Sequence, residues 1–127
     1  MAVTTTNVST PSNQFIFQNT VANNAVNSIK SSSAVLYSVK IDNSGNSGAA
    51  SYVKFWNLAS GSVTVGTTDP DFIVYVPASA VVTLDLFTGA GSGITFGTAL
   101  SMACVTTGGT GGTTSPSNPV IVAVTYV

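Results

Sequence analysis

The sequence predicts an all-β domain, an antiparallel sandwich of two sheets. Short runs of Val, Ile and aromatic residues alternate with clusters of Gly, Ser, Thr, Asp and Pro, which is the pattern of strands joined by turns. Strong helix formers are scarce because the chain contains neither Glu nor Arg, whereas the β-branched residues Val and Thr are abundant. The 127 residues, of which 44% are hydrophobic, suffice to bury the core of one domain.

Residues 1–27 are predicted to form an extended N-terminal arm, and residues 28–127 a single β-sandwich domain. The arm is rich in Asn, Thr and Ser, and its main apolar cluster is Phe15-Ile16-Phe17. We interpret Phe15, Ile16 and Phe17 as partner-binding residues. They would anchor an arm exchanged with a neighbouring subunit, or tether a flexible terminus to the domain's own surface.

Alternating apolar and polar positions predict about seven or eight strands. The clearest alternation runs over residues 34–43, and its predicted core-facing side chains are Val35, Tyr37, Val39 and Ile41. In residues 50–59 both faces carry aromatic side chains, which indicates a central strand or one covered by a partner. The other strands are assigned to residues 26–31, 72–77, 80–87, 94–96, 99–107 and 120–127.

This number of strands without an intervening helix favours a jelly roll, with an immunoglobulin-like sandwich as the alternative. Residues 108–119, GGTGGTTSPSNP, form a low-complexity loop that we expect to be mobile.

The charge content narrows the possible partners. Only 6% of the residues are charged, against about 25% in an ordinary soluble domain. A net charge of −1 causes little repulsion between copies, which favours a protein that works in an assembly, although a small neutral monomer fits the same composition. Three lysines without any arginine provide no basic surface for nucleic acid. Neither a signal peptide nor an apolar run of ~18 residues is present, so no membrane partner is expected.

The residue types also argue against catalysis, and we expect a non-enzymatic protein without cofactor or metal. The chain has no His and no Glu, so a Ser or Cys nucleophile would depend on Asp, Lys or Tyr as its base. Cys104 lies in an apolar strand pattern that predicts a buried thiol. Asp69 and Asp71 could contribute to a calcium site, but an Asp-Pro-Asp sequence ordinarily shapes a turn.

Carbohydrate binding is an alternative function, because β-sandwich modules can present aromatic platforms to sugars. The candidate side chains are Tyr52, Trp56 and Tyr75. No polar cluster accompanies them in the sequence, and for Trp56 packing in the core is the simpler role.

Five short motifs follow one another in order along residues 34–127. They are Leu36-Tyr37-Ser38-Val39, Tyr52–Asn57, Val65–Pro70, Val76-Pro77-Ala78 and Gly93–Met102. The ordered set resembles a family of small phage virion structural proteins of the capsid-decoration, or cement, type. Ser38 and Ser79 depart from the pattern, since glycine is frequent at both positions in that family.

The resemblance implies a structural protein of the bacteriophage capsid surface that is assembled in the host cytoplasm. Its expected partners are the major capsid protein, whose neighbouring subunits it would clamp, and further copies of itself in a homotrimer. A trimer suits the local three-fold positions of a capsid lattice. A tail, fibre or neck component is the alternative virion role.

Overall fold

The computed structural model describes residues 14–89 and 91–127, and these form nine strands in two antiparallel sheets packed as a sandwich. The strands are β1 (Phe15–Ala22), β2 (Asn27–Lys30), β3 (Ala34–Asp42), β4 (Ser51–Trp56), β5 (Phe72–Val76), β6 (Val81–Asp85), β7 (Ile94–Phe96), β8 (Leu100–Val105) and β9 (Val120–Tyr126). One short 3-10 turn, Ser60–Ser62, lies between β4 and β5. The predicted all-β sandwich is confirmed.

The strand order is that of a jelly roll. Sheet A has the order β1-β9-β3-β6, and the short β7 also pairs with β3. Sheet B has the order β2-β8-β4-β5. The chain passes back and forth between the two sheets, as in the two Greek keys of a jelly roll. The short β7 is an addition to the eight-stranded pattern. An immunoglobulin-like sandwich joins its strands in the order ABED and CFG, which this chain does not follow.

The sheet begins inside the segment that the sequence analysis assigned to the arm. Phe15–Ala22 forms β1 and pairs with β9, so sheet A starts before the predicted boundary at residue 28. The Asn, Thr and Ser residues around β1 concealed this strand, and only one of its faces meets the core while β9 supplies its backbone partners. Residues 1–13 of the predicted arm lie outside the described residues.

The core lies between the inner faces of the two sheets. Its fully buried members come mainly from the central strands β3, β4, β8 and β9, and each contributes roughly 1.5–3 kcal/mol by leaving water. They include Leu36, Val39, Ile41, Val53, Phe55, Met102, Cys104, Val122 and Val124.

A bulge in β3 corrects one sequence prediction. Val35 and Tyr37 were expected in the core, but Ala34 and Leu36 are the buried residues of this half of the strand. The register between β3 and β9 shifts between Leu36 and Ser38, so the alternation changes phase there. Val39 and Ile41, beyond the bulge, face the core as predicted.

A hydrogen-bond network around the buried Asn43 joins three connections at one end of the sandwich, the third because Asn46 also donates to the Asn118 carbonyl. The Asn43 amide nitrogen donates to the carbonyl oxygens of Ala49 and Pro77, at 3.1 and 3.0 Å. Its oxygen accepts hydrogen bonds from the Asn46 amide, at 2.9 Å, and from the Ser51 hydroxyl, at 2.8 Å. Asn43 is fully buried, so these bonds are not exchanged with water.

We predict that Asn43→Ala lowers the free energy of unfolding by roughly 3 kcal/mol, because it leaves several buried polar groups without partners. Chemical denaturation measures the change. Ser47→Ala, in the same loop but exposed, is the control and should stay within about 0.5 kcal/mol of the wild type. A loss of the same size in both variants would contradict this role.

Ser79 is the one non-glycine residue of the described chain with a positive φ, 59°. It occupies the third position of a turn in which the Ala80 amide donates to the Pro77 carbonyl, a position that favours glycine.

Ser79→Gly should therefore raise the free energy of unfolding by about 1 kcal/mol, since glycine enters the left-handed region without a steric cost. Ser47→Gly should instead be neutral or destabilising, because Ser47 has no positive φ to relieve. Thermal unfolding of both variants tests the pair. Destabilisation by Ser79→Gly would show that the Ser79 side chain contributes more than its strained backbone costs.

Candidate functional site

Sheet B is buried on both faces, which leaves its centre closed to any partner. All six residues of β8 and five of the six residues of β4 are buried. The inner face packs against sheet A, and the outer face lies under two long connections. Residues 57–71 join β4 to β5, and residues 106–119 join β8 to β9. Of the two alternatives for β4, the central strand is confirmed, since β4 lies between β8 and β5.

Lys54 lies at the centre of this covered face. It is fully buried, and it is flanked on the neighbouring strands by Ala103 and Ile73. Its ammonium donates hydrogen bonds to the carbonyl oxygens of Gly111, at 2.8 Å, and Thr110, at 3.4 Å. Burial lowers the pKa of Lys54, because the charged form loses water.

A short chain of hydrogen bonds links Lys54 to a carboxylate. The Thr110 carbonyl accepts from Lys54, and the Thr110 hydroxyl donates to the Asp69 carboxylate. Asp69 belongs to the β4–β5 connection, so this chain ties both covering loops to the middle of sheet B.

The glycine-rich loop, expected to be mobile, is held at several further points. The Thr106 amide donates to the Thr114 carbonyl at 3.0 Å. Asn24 donates from its side chain to the Thr113 carbonyl, at 2.8 Å, and from its backbone to the Ser115 hydroxyl, at 3.1 Å. Glycine is required at 108, where an added Cβ would lie 2.8 Å from the Tyr52 ring. Composition alone could not reveal these distant partners.

We predict that Lys54→Met loosens residues 106–119 while leaving the sandwich folded, since the Thr110 and Gly111 carbonyls lose their donor. Hydrogen–deuterium exchange should become at least about tenfold faster at amides 108–112. Lys40→Met, which removes an exposed lysine from sheet A, is the control. Unchanged exchange at 108–112 in Lys54→Met would show that the other contacts alone hold the loop.

The predicted aromatic platform is only partly available. Trp56 is fully buried, as the simpler interpretation held, and its indole nitrogen donates to the Thr68 carbonyl at 3.0 Å. Tyr52 and Tyr75 face each other across β4 and β5, with ring centroids 5.3 Å apart. Tyr75 is 53% exposed.

The remaining candidate groups have structural roles. The Asp71 carboxylate accepts from the Asn57 backbone at 2.7 Å, while Asp69 bonds Thr110, so the two carboxylates hold different loop contacts. Burial raises the pKa of the Cys104 thiol to about 12, which makes it a poor nucleophile at neutral pH. Within the described residues, no three Cys, Asp or Glu side chains gather as a metal site would require.

The open cavities of the described chain hold few reactive groups. A cavity of ≈ 390 Å³ at the end of the sandwich is lined by Phe15, Val35 and Thr95 among others, and Lys30 is its one titratable side chain. Another of ≈ 270 Å³ on sheet A contains Tyr37 and Asp85. Asp85 accepts from the Phe87 amide at 3.0 Å.

The outer face of sheet A carries most of the exposed apolar surface. The large hydrophobic residues that are exposed are Phe15, Ile16, Val21, Tyr75, Val81 and Ile121. All except Tyr75 belong to strands of sheet A. Sequence alternation alone could not select this surface, because it did not show which sheet the loops cover.

Three cross-strand rows make up this outer face. They are Ile16-Thr125-Ser38-Asp85, then Gln18-Ala123-Lys40-Thr83, and finally Ile121-Asp42-Val81. Hydrogen bonds from Ser44 lower the pKa of Asp42, and Lys40 beside it acts in the same direction. The face therefore combines aliphatic side chains with a few charges of both signs.

The three predicted partner-binding residues lie together at the start of β1 but face different ways. Phe15 packs on Tyr126, with ring centroids 5.8 Å apart, and Phe17 contacts the core. Ile16 points to the outer face and is 77% exposed, the largest exposure among the large hydrophobic residues described. Of the three, Ile16 is the one most available to a partner.

Comparisons with known protein families, with curated proteins and with solved structures found no match to this chain. Among the described residues, no helix has the length and apolar character needed to cross a membrane. The functional assignment therefore depends on the residues, the fold and the resemblance set out above.

Proposed function

We propose that this protein is a non-enzymatic structural component of a phage virion, a capsid-decoration protein that clamps neighbouring major capsid subunits through the outer face of sheet A. The observation that carries the proposal is the asymmetry between the two sheets. Loops cover the outer face of sheet B, whereas the outer face of sheet A is open and holds Ile16, Val81 and Ile121 exposed.

The fold is consistent with this role. Jelly rolls are a common architecture of viral capsid domains, although they also occur in lectins and cupins, so the fold supports the proposal without deciding it. The ordered motifs that resemble phage cement proteins favour the virion among these possibilities. The same resemblance suggests a homotrimer at local three-fold positions of the capsid.

The polar interactions suit a clamp that must keep its shape. The Asn43 network joins three connections, and the Lys54 ammonium holds both loops over sheet B. A rigid surface loses little conformational entropy when it binds, which favours attachment to a repeated lattice. Charges of both signs on sheet A permit complementary contacts with a capsid surface.

Carbohydrate binding is the second candidate, and one observation favours it. The Tyr52 and Tyr75 rings lie 5.3 Å apart at the surface of a jelly roll, a fold that lectins share. Trp56 is buried and cannot stack on a sugar. This candidate requires Tyr75→Ala to abolish glycan binding while the protein stays folded.

The decoration role is tested by adding the purified protein to phage particles assembled without it. Wild-type protein should bind with saturable stoichiometry. We expect Val81→Lys to weaken binding by at least about tenfold, because it replaces an exposed aliphatic side chain of this face with a charge. Tyr75→Lys is a matched control, since Tyr75 and Val81 have similar exposures of 53% and 51% on different sheets.

Two results would contradict the proposal. Failure of the wild-type protein to bind such particles would remove the decoration role and leave a tail, fibre or neck position to test on complete virions. Loss of binding with Tyr75→Lys but not with Val81→Lys would assign attachment to the side of sheet B.

A further inference from the structure

The edge strands of this sandwich are not equally protected against pairing with other chains. β2 is four residues long and ends in Lys30, and β6 is five residues long and ends in Asp85. β5 is also five residues long and lies between Asp71 and Pro77. Short length, a charge or a proline is how proteins keep an edge strand from pairing with another sheet.

β1 has none of these three protections, and its one irregularity is a register shift between Asn19 and Ala22 in its second half. It has eight residues, FIFQNTVA, without a charge or a proline, and Lys30 is the first charged side chain of the whole sequence. One edge of β1 pairs with β9, and within the described residues no strand pairs with its other edge. Ile16 and Val21 are 77% and 57% exposed along it.

We propose that the free edge of β1 pairs with β1 of a second copy of this chain, antiparallel and about a two-fold axis, so that two copies of sheet A become one continuous sheet. The free backbone N–H and C=O groups of each β1 then form hydrogen bonds with those of the other, as in strand addition. Neither strand carries a charge, so the two copies meet without repulsion.

A second copy fits this edge better than an unrelated strand does. An added single strand would itself leave a new unprotected edge, and further copies could then accumulate on it. Two-fold pairing uses both β1 edges at once and leaves only β6 and β7 at the ends of the joined sheet, so the assembly closes. The contact is independent of the proposed virion role and separate from a three-fold contact within a trimer.

Pairing about a two-fold axis predicts which cysteine substitutions crosslink. Directly opposed residues of antiparallel strands have Cα atoms about 4.5–5.5 Å apart, within the range of a disulfide. Only the residue on the axis faces its own copy, and a residue two positions away is separated from its copy by roughly four residues of strand.

The test places single cysteines at each position from Ile16 to Thr20 and oxidises the proteins under mild conditions. One position should give a strong disulfide-linked dimer of two 12.8 kDa chains, and the others much less. The wild-type protein, whose native Cys104 is buried, gives the background level of crosslinking. Val81→Cys, exposed on another strand of sheet A, is the control and should give no dimer. Equal crosslinking at all positions, or none at any, would overturn the pairing.

Gln18→Lys provides a second, non-covalent test. Gln18 is exposed in the middle of β1, and a lysine there brings two like charges together in the paired state. In sedimentation equilibrium this variant should have half the molar mass of the wild type, and Val81→Lys should keep the wild-type mass. Equal masses for wild type and Gln18→Lys at every concentration would refute the proposal. If the β1 amides that do not pair with β9 are then still protected from hydrogen exchange, the outcome assigns the edge to residues 1–13 of the same chain instead of a second copy.

Discussion

The buried ammonium of Lys54 fixes the loops over the outer face of sheet B, which the hydrophobic core between the sheets does not stabilise. Packing against sheet A buries only one face of sheet B. Two loops cover the other face, and Lys54 binds the Thr110 and Gly111 carbonyls and, through the Thr110 hydroxyl, reaches Asp69. A buried ammonium is costly unless hydrogen bonds replace its water, and the two carbonyls do so only when the loop holds this arrangement. Among the described residues, no buried side-chain nitrogen or oxygen lacks a hydrogen-bond partner.

Covering one sheet determines which surfaces remain for partners. With the centre of sheet B closed, the outer face of sheet A and the β1 edge contain nearly all the exposed apolar side chains. These two surfaces meet at Ile16, which lies on the outer face and also at the free edge. In the two proposals above, the face contacts the capsid and the edge pairs with a copy of the same chain. The two contacts depend on different interactions, because the face offers side-chain packing and the edge offers backbone hydrogen bonds.

The local parts of this structure could be predicted from the sequence. Period-two alternation located eight of the strands, the turn residues separated them, and the absence of helix formers limited the fold to a sandwich. The bulge near Tyr37 could not be predicted, because one additional residue inverts the alternation without a distinctive composition. β1 was assigned to the arm because a half-exposed edge strand resembles a polar terminus. The Lys54 contact joins residues 56 and 57 positions apart, beyond the reach of any local pattern.

The orientation of the protein in a density map of the virion would show whether it attaches to the capsid through the outer face of sheet A. We expect the outer face of sheet A, with Val81 and Ile121, to lie against the major capsid subunits, and residues 106–119 to point away from the shell. A map in which the loops over sheet B contact the capsid would contradict it. So would a map of complete virions in which the jelly roll is absent from the head.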